Sequence, residues 1–512
     1  MFEKMKRLFG KKEMGGEPPS GAVRGKMVSA LLDENIKLME ALFTDVDTML
    51  NRQFENAERP EIRFCIYYSD GVADAMLINE HVIKPLIQME GLRPGPQLFD
   101  EIKDRVILIN EVKESSDIAE IVSGITYGDT VLFLNGADRA LLFNSKKFSL
   151  RSSTEPEGER VLSGPREGFT EGIMNNLSML RRRMRSSELK IKFFNKGRLT
   201  RTTVCVVYIE SVVNKNILKE LYRRLEGIDI DGVLDPNYLE EFIGEQSAFG
   251  FNSLGATERP DVVVAKMLEG RIAVLVDGSP VALTAPYLFV ENFQSNEDYY
   301  MPPVYASFSR IIRIICFILT ISVPAIYISI VAYHHEILPS AFMISLAKSR
   351  ARVPLPAALE CFIMLIMFDI LRETGIRMPN HIGQAMSIVG ALVIGQAAVE
   401  AHLVAAPMVI VVAFTGITNL MSSRLTAATL VSRYFCLILA SMMGLTGLMV
   451  GISSVLIHVL SMETLGIPSI LPVKRLEYQE VKDTFIRAPW PNMLKRIWPL
   501  SHNLTRQKKV TH

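Results

Sequence analysis

The sequence predicts a multi-domain α+β membrane protein, in which a duplicated α/β cytosolic N-terminal domain is followed by an α-helical transmembrane bundle of four to six spans. Three observations predict it. Charge is segregated: from Ile314 to Ile470 only 13 of 157 residues are Asp, Glu, Lys or Arg, whereas the other 355 residues hold 98. Four stretches in the charge-poor region are long enough to cross about 30 Å of hydrocarbon. The charged N-terminal part, finally, repeats itself at an offset of 142 residues.

Composition excludes some functions at once. With 56 Lys+Arg against 55 Asp+Glu, the net charge of +1 gives none of the strongly basic surface that nucleic acid requires, so no nucleic-acid partner is expected. Cys65, Cys205, Cys316, Cys361 and Cys436 are scattered, with no C-x-x-C pair, which indicates neither a disulfide framework nor a zinc site. Residues 1–24 read as a basic disordered tail. Met1–Glu17 lacks the apolar stretch and cleavage site of a signal peptide, so the soluble part is expected in the cytosol.

Along the soluble part, residues 25–60 read as a helical lead-in. Arg63-Phe-Cys-Ile-Tyr-Tyr68 then reads as a buried strand followed by a helical run to Ile87, and Thr203-Val-Cys-Val-Val-Tyr208 followed by Asn216–Leu225 repeats the pattern. Gly128-Asp-Thr-Val-Leu-Phe-Leu-Asn-Gly136 matches Gly270-Arg-Ile-Ala-Val-Leu-Val-Asp-Gly278. Each centres on Asn-Gly or Asp-Gly between apolar strands, where both turn residues can take positive φ and close a tight hairpin. Two α/β subdomains follow, 61–152 and 200–303, joined by a linker, 153–199. The linker carries a helix ending in Arg181, Arg182 and Arg183, a candidate contact for acidic lipid headgroups or a partner's carboxylates.

The membrane domain is assigned to 304–470. Ile314–Tyr333, Ile382–Val399, Leu403–Ser423 and Tyr434–Met462 read as spans. Ile337–Ala347 is short enough to be interfacial or re-entrant, and Ala357–Leu371 has a span's composition but contains Glu360 and Asp369. Arg310 and Arg313, the loop with Lys348, Arg350 and Arg352, and the basic cytosolic tail 471–512 are candidates for the cytoplasmic side. Gly390, Gly395, Gly444, Gly447 and Gly451 are candidate helix-packing positions, because small residues let backbones approach closely. Ionisable and polar groups at membrane depth are costly unless paired or facing water, which makes Glu360, Asp369, Gln396, Glu400 and Asn419 candidate pore or switch residues. Glu360 and Asp369, nine apart, fall on opposite faces of a straight helix.

No P-loop, dinucleotide fingerprint, His-Glu-x-x-His or Gly-x-Ser-x-Gly is present. The reading is therefore non-enzymatic, with no catalytic, cofactor-binding or metal residues.

Several longer motifs belong together: Gly164-Pro-Arg-Glu-Gly-Phe-Thr-Glu171, Asn176-Leu-Ser-Met-Leu-Arg-Arg-Arg183, Glu258-Arg-Pro-Asp261, Leu268-Glu-Gly-Arg271 and Val276-Asp-Gly-Ser-Pro280. With them go Val353-Pro-Leu-Pro356, Leu371-Arg-Glu-Thr-Gly-Ile-Arg377 and Ile388-Val-Gly-Ala-Leu-Val-Ile-Gly-Gln-Ala-Ala-Val399. Over about residues 60 to 470 the chain resembles the A subunit of the GerA-type spore germinant receptors; it departs from the pattern at Asp369, where Glu is expected, and at Met421-Ser-Ser-Arg424, where a proline is expected. The resemblance implies an inner-spore-membrane subunit without cofactor, working with a transporter-like B subunit and a lipoprotein C subunit. It also implies a homo-oligomer that forms or gates an ion path when a partner binds a nutrient. A stand-alone secondary transporter and a non-conducting scaffold are the alternatives.

Overall fold

The computed structural model describes residues 25–471 and 483–507, apart from 93–96, 108, 110, 111, 148–154, 157, 378–392 and 394. Its soluble part holds two five-stranded antiparallel sheets of the same topology. The first runs β1 (Met49–Glu55), β2 (Arg63–Ser69), β4 (Thr130–Leu134), β5 (Ala140–Phe143), β3 (Val112–Ser115). The second runs β6 (Leu189–Lys196), β7 (Thr202–Ile209), β9 (Ile272–Val276), β10 (Ala282–Ala285), β8 (Gly255–Thr257). Register repeats with order: Ser115 opposes Ala140, and Thr257 opposes Ala282. Helices α1 (Leu32–Leu42), α2 (Ile118–Tyr127), α3 (Ile173–Arg183), α4 (Lys215–Glu226) and α5 (Pro260–Leu268) cover the sheets. Alternation along β2 sends Phe64 and Ile66 into one core and Cys65 and Tyr67 into the opposite one, so each sheet is buried on both faces.

The structure corrects three sequence assignments. Each repeat begins earlier than expected: α1 and β1 lie in the supposed lead-in, and α3 and β6 in the supposed linker. β1 pairs with β2 along its whole length, and β6 with β7, so these segments are sheet rather than connection. β1 escaped notice because it is an edge strand with mostly exposed side chains and no apolar alternation. The hairpins at Asn135-Gly136 and Asp277-Gly278 do form, but residues 135–139 and 277–281 separate the paired strands, and only the glycines take positive φ (89° and 91°). The described part of the C-terminal segment is not a free tail. Leu465, Ile467, Leu471 and Leu500 belong to the core of the second repeat. Ser501 bridges Val213 while the His502 amide donates to the Val212 carbonyl, as Lys146 bridges Ala73 and the Lys147 amide donates to the Val72 carbonyl in the first repeat.

The charge-poor region forms helices α6 (Pro303–Ala332), α7 (Ser340–Arg350), α8 (Ala357–Arg377), α9 (Ala406–Leu420) and α10 (Thr426–Ser461). Among the described helices, α6 and α10 are long and apolar enough to cross a membrane. α10 is not straight. At Gly444 the backbone takes φ 61° and ψ −137°, a region open to glycine alone. A Cβ added at Gly447 would run into the Leu439 carbonyl oxygen, and one at Gly451 would lie 3.0 Å from Cys436 Sγ. Residues fifteen apart in a straight helix are separated by about 22 Å. The stretch Tyr434–Met462, expected as one span, is therefore bent back within an antiparallel helical hairpin, with arms 426–443 and 445–461.

Directions follow from contacts. The base of α6 and both ends of the hairpin meet the second repeat; Tyr333, just past the far end of α6, packs on Gly444 at the hairpin tip. α9 runs back toward the repeats, since its C-terminal Thr418 bonds Thr320 in the base half of α6. α8 runs parallel to α9: Glu360 accepts from the Ala405 amide, and Phe368 lies against Gly416. The loop with Lys348, Arg350 and Arg352 thus sits at the end of the bundle away from the repeats, not on the side of Arg310 and Arg313 as the basic flanks suggest. Pairing explains this, because Arg350 folds onto Glu360.

Candidate functional site

The bundle buries Glu360 and Arg433, each in a separate ion pair. Glu360, fully buried near the start of α8, accepts from Arg350 Nη1 at 3.0 Å and from the Ala405 amide at 2.6 Å. Its carboxylate thereby joins α7, α8 and the N-terminal end of α9, where backbone donors and the helix dipole favour negative charge. Nine residues on, about 13 Å along the axis, Asp369 Oδ2 accepts from Arg433 Nη2 at 2.6 Å and from the Tyr434 hydroxyl at 2.9 Å. Arg433 is 1 % exposed, and its Nε and Nη1 find no hydrogen-bond partner among the described residues. An open, mostly apolar groove of about 670 Å³ between α8 and the first hairpin arm passes over this pair, lined by Phe362, Ile366 and Ile438 among others.

The remaining candidates are dispersed. Asn419 is buried where α9 gives way to the hairpin and accepts from Thr429 Oγ1 at 3.0 Å. Gln396 and Glu400 are exposed, one turn apart on a single helical segment, and bond each other at 2.9 Å. The five polar candidates therefore do not converge on one site. Among the glycines, Gly447 and Gly451 seat the second hairpin arm on the backbone of the first, Gly395 faces Val409, Gly444 makes the turn, and Gly390 lies outside the described residues.

The basic helix departs from expectation. Arg181 is 1 % exposed, and its Nη1 donates to the Ser186 carbonyl. Arg182 and Arg183 both pair with Glu167, the latter at 2.7 Å. Arg181 is thus turned into the second repeat, while Arg182 and Arg183, half-buried, are already paired within it. The Gly164-Pro-Arg-Glu-Gly motif owes its glutamate to this pairing.

Sequence reasoning missed the strongest polar assembly, at the seam between bundle and second repeat. Arg310, completely buried on α6, bonds Asp298 Oδ2 at 2.7 Å and Asp483 Oδ1 at 2.9 Å, and Arg313 reaches Asp298 Oδ1 at 3.0 Å. Arg424 reaches Glu159 at 2.7 Å, and His458 at the base of the second arm bonds Ser247 Oγ at 2.8 Å beside Phe249. Deeper in the repeat, Glu291 pairs with Arg271 and, at 2.5 Å, with Lys266. Burial opposes ionisation of Glu291, yet the two cations outweigh it and hold the carboxyl below its ordinary range. Burial raises the Asp483 carboxyl, and Arg310 offsets this only in part. Arg310 and Arg313 were visible as basic flanks; their acidic partners lie 12 to 173 residues away, and no local spacing announces them.

Among the described residues no group of three or more His, Cys, Asp and Glu is placed to hold a metal ion. Comparison with known proteins assigns the family. A family model described as Bacillus/Clostridium GerA spore germination protein matches residues 37–497. The chain is 35 % identical to spore germination protein KA of Bacillus subtilis over 91 % of this chain and 86 % of that one. It is also 35 % identical to spore germination protein GerLA of Bacillus cereus, over 85 % and 88 % respectively. A crystal structure of the N-terminal domain of the A subunit of the Bacillus megaterium spore germinant receptor GerK3 aligns with 52 % of this chain and 98 % of that one, at 29 % identity and a TM-score of 0.42. Two repeats under a helical membrane region, together with a match spanning nearly the whole chain, make this protein a member of the GerA spore germination family.

Proposed function

We propose that the chain is the A subunit of a nutrient germinant receptor in the inner spore membrane, and that it forms or gates an ion path with its partners. The doubled module and both termini lie in the cytosol in this reading. With α6, α8, α9 and the two hairpin arms each taken as a crossing, and one more between α8 and α9, the chain crosses six times in this reading and leaves both ends on one side. A transporter-like B subunit, a lipoprotein C subunit and further copies of this chain complete the assembly.

One observation carries the reading. Charges inside the bundle are paired and packed, Glu360 by Arg350 and Asp369 by Arg433, whereas Gln396 and Glu400 face outward. A hydrated path is then lined by outward-facing polar positions between chains, because an uncompensated charge in hydrocarbon costs several kcal/mol, about 2.5–3.5 at a helix centre. A nutrient bound to a partner shifts the equilibrium only through different contacts with the open and closed states. A stand-alone transporter fits less well. It needs broken helices at the midplane, but among the described residues Pro354 and Pro356 precede α8, Pro324 sits in α6 without breaking it, and the break at Gly444 is at the far tip.

The test is replacement of the gene in the spore-former by one encoding Gln396→Leu with Glu400→Leu. Slower cation release at unchanged receptor assembly supports the path. Unchanged release rejects it in favour of a scaffold, and substrate uptake by the chain alone rejects the receptor-subunit reading.

A further inference from the structure

The two repeats are not equally filled. In the second, Glu269, Arg271 and Leu288 line a cavity of only about 40 Å³, because the chain's own C-terminal segment has entered the cleft with Met493, Arg496 and Arg506. Arg506 reaches Glu269 at 3.3 Å, and Arg496 donates to the Leu268 carbonyl at 2.6 Å. The counterparts of Glu269 and Arg271, 142 positions earlier, are Tyr127 and Asp129; beside Gly128 the place that Ser501 takes beside Gly270 is filled by Lys146. They line a cleft of about 280 Å³ into which no described segment of comparable length enters.

We propose that this cleft of the first repeat receives an extended acidic polypeptide segment from a partner protein, as the matching cleft of the second repeat receives the basic C-terminal segment. Three features argue for this occupant. The two clefts occupy the same place in the same fold: each lies beside a helix followed by a left-handed glycine, Gly128 or Gly270, and beside the strand after it. In the filled cleft the match is electrostatic, with basic residues of the segment meeting Glu269. In the open cleft the sign is reversed. Tyr127 carries the Arg185 guanidinium 3.5 Å above its ring and Lys146 Nζ 4.8 Å from its centre. Asp129 is engaged by Lys146 at 2.5 Å, and on the lining Lys113, Lys146 and Arg185 outnumber Glu120 and Asp129, with Arg185 exposed. A carboxylate on the incoming segment pairs with the edge of that guanidinium, and an apolar neighbour covers the Tyr127 ring. Arg185 comes from the second repeat, so the occupant also bridges the two repeats.

The experiment places the photoreactive residue p-benzoylphenylalanine at exposed Ser123 on the rim of this cleft, in the full chain within spore membranes. A second strain carries it at exposed Lys219 on α4 as control. Irradiation is expected to give one polypeptide adduct from position 123, mapped to an Asp/Glu-rich peptide of another chain, and none from position 219. Arg185→Glu should cut the adduct more than about tenfold, since like charges then face each other across the contact. Ser123→Trp, which fills the cleft from its rim, should slow germination with the protein still present at its normal level. An adduct to lipid or to a small molecule overturns the proposal, as does an adduct peptide without carboxylates. Undiminished adduct in the Arg185→Glu strain overturns it as well.

Discussion

Replacing Gly444 by Ala distinguishes the helical hairpin from a straight helix by the sign of its effect. In a straight 36-residue helix, Gly→Ala removes a flexible residue and stabilises by about 0.5–1 kcal/mol. In the observed fold, Ala must adopt φ 61° and ψ −137°, which costs about 1–3 kcal/mol. Its Cβ would also stand 2.9 Å from Tyr333 Cβ and 3.0 Å from Tyr333 Cγ, beside a hydroxyl that donates to the Ser441 carbonyl. Displacing that ring forfeits a hydrogen bond worth about 1 kcal/mol. The expected result is a loss of about 2–4 kcal/mol, read as a lower unfolding temperature of the full chain in detergent. A covalent readout accompanies it. A Cβ at Gly451 would lie 3.5 Å from Cys436 Cβ, within the Cβ–Cβ range of about 3.5–4.5 Å that a disulfide spans. Gly451→Cys should therefore form an intrachain disulfide with Cys436 under mild oxidation, detected by peptide mapping. Higher stability in Gly444→Ala, or no link between positions 451 and 436, refutes the hairpin and with it the six-crossing count.

Other perturbations follow from the polar assemblies. Glu291→Gln leaves Arg271, 2 % exposed, without its buried carboxylate, and should cost about 3–5 kcal/mol in chemical unfolding of the soluble repeats. Because the folded pKa of Glu291 lies below its ordinary 4.5, its contribution is complete above about pH 4.5 and is lost as pH falls through the lowered value; an unfolding series against pH should show the wild type approaching the variant in acid. Asp369→Asn should destabilise the bundle by a similar amount, since Arg433 is then buried without a countercharge, while Asp369→Glu retains most of the stability; heat inactivation in detergent separates the two. Asp483→Ala removes a charged hydrogen bond from Arg310, worth about 1.5–3 kcal/mol, and should speed tryptic cleavage after Arg487 while leaving the first repeat protected.

The sequence by itself determined the partition into charged and charge-poor halves, the 142-residue repeat, and the membership that its longer motifs announce. Each of these is written in local composition: alternation feeds two faces of a buried strand, as at Phe64 and Cys65, and long apolar runs specify lipid-compatible helix. Tertiary structure decided the rest. The edge strand β1 carries no apolar alternation, because only pairing with β2 makes it a strand. Gly444 reads like any small residue of a membrane helix until Tyr333 and the returning arm fix it as a turn. Arg181, Arg182 and Arg183 look like a free basic face, and only the fold reveals that Arg181 is buried and that Arg182 and Arg183 share Glu167. Arg310 finds Asp483 across 173 residues of chain, and Arg350 finds Glu360 at the end of the bundle away from the repeats. A buried charge is tolerated only where a partner of opposite sign is held against it, and chain folding, not sequence proximity, supplies that partner.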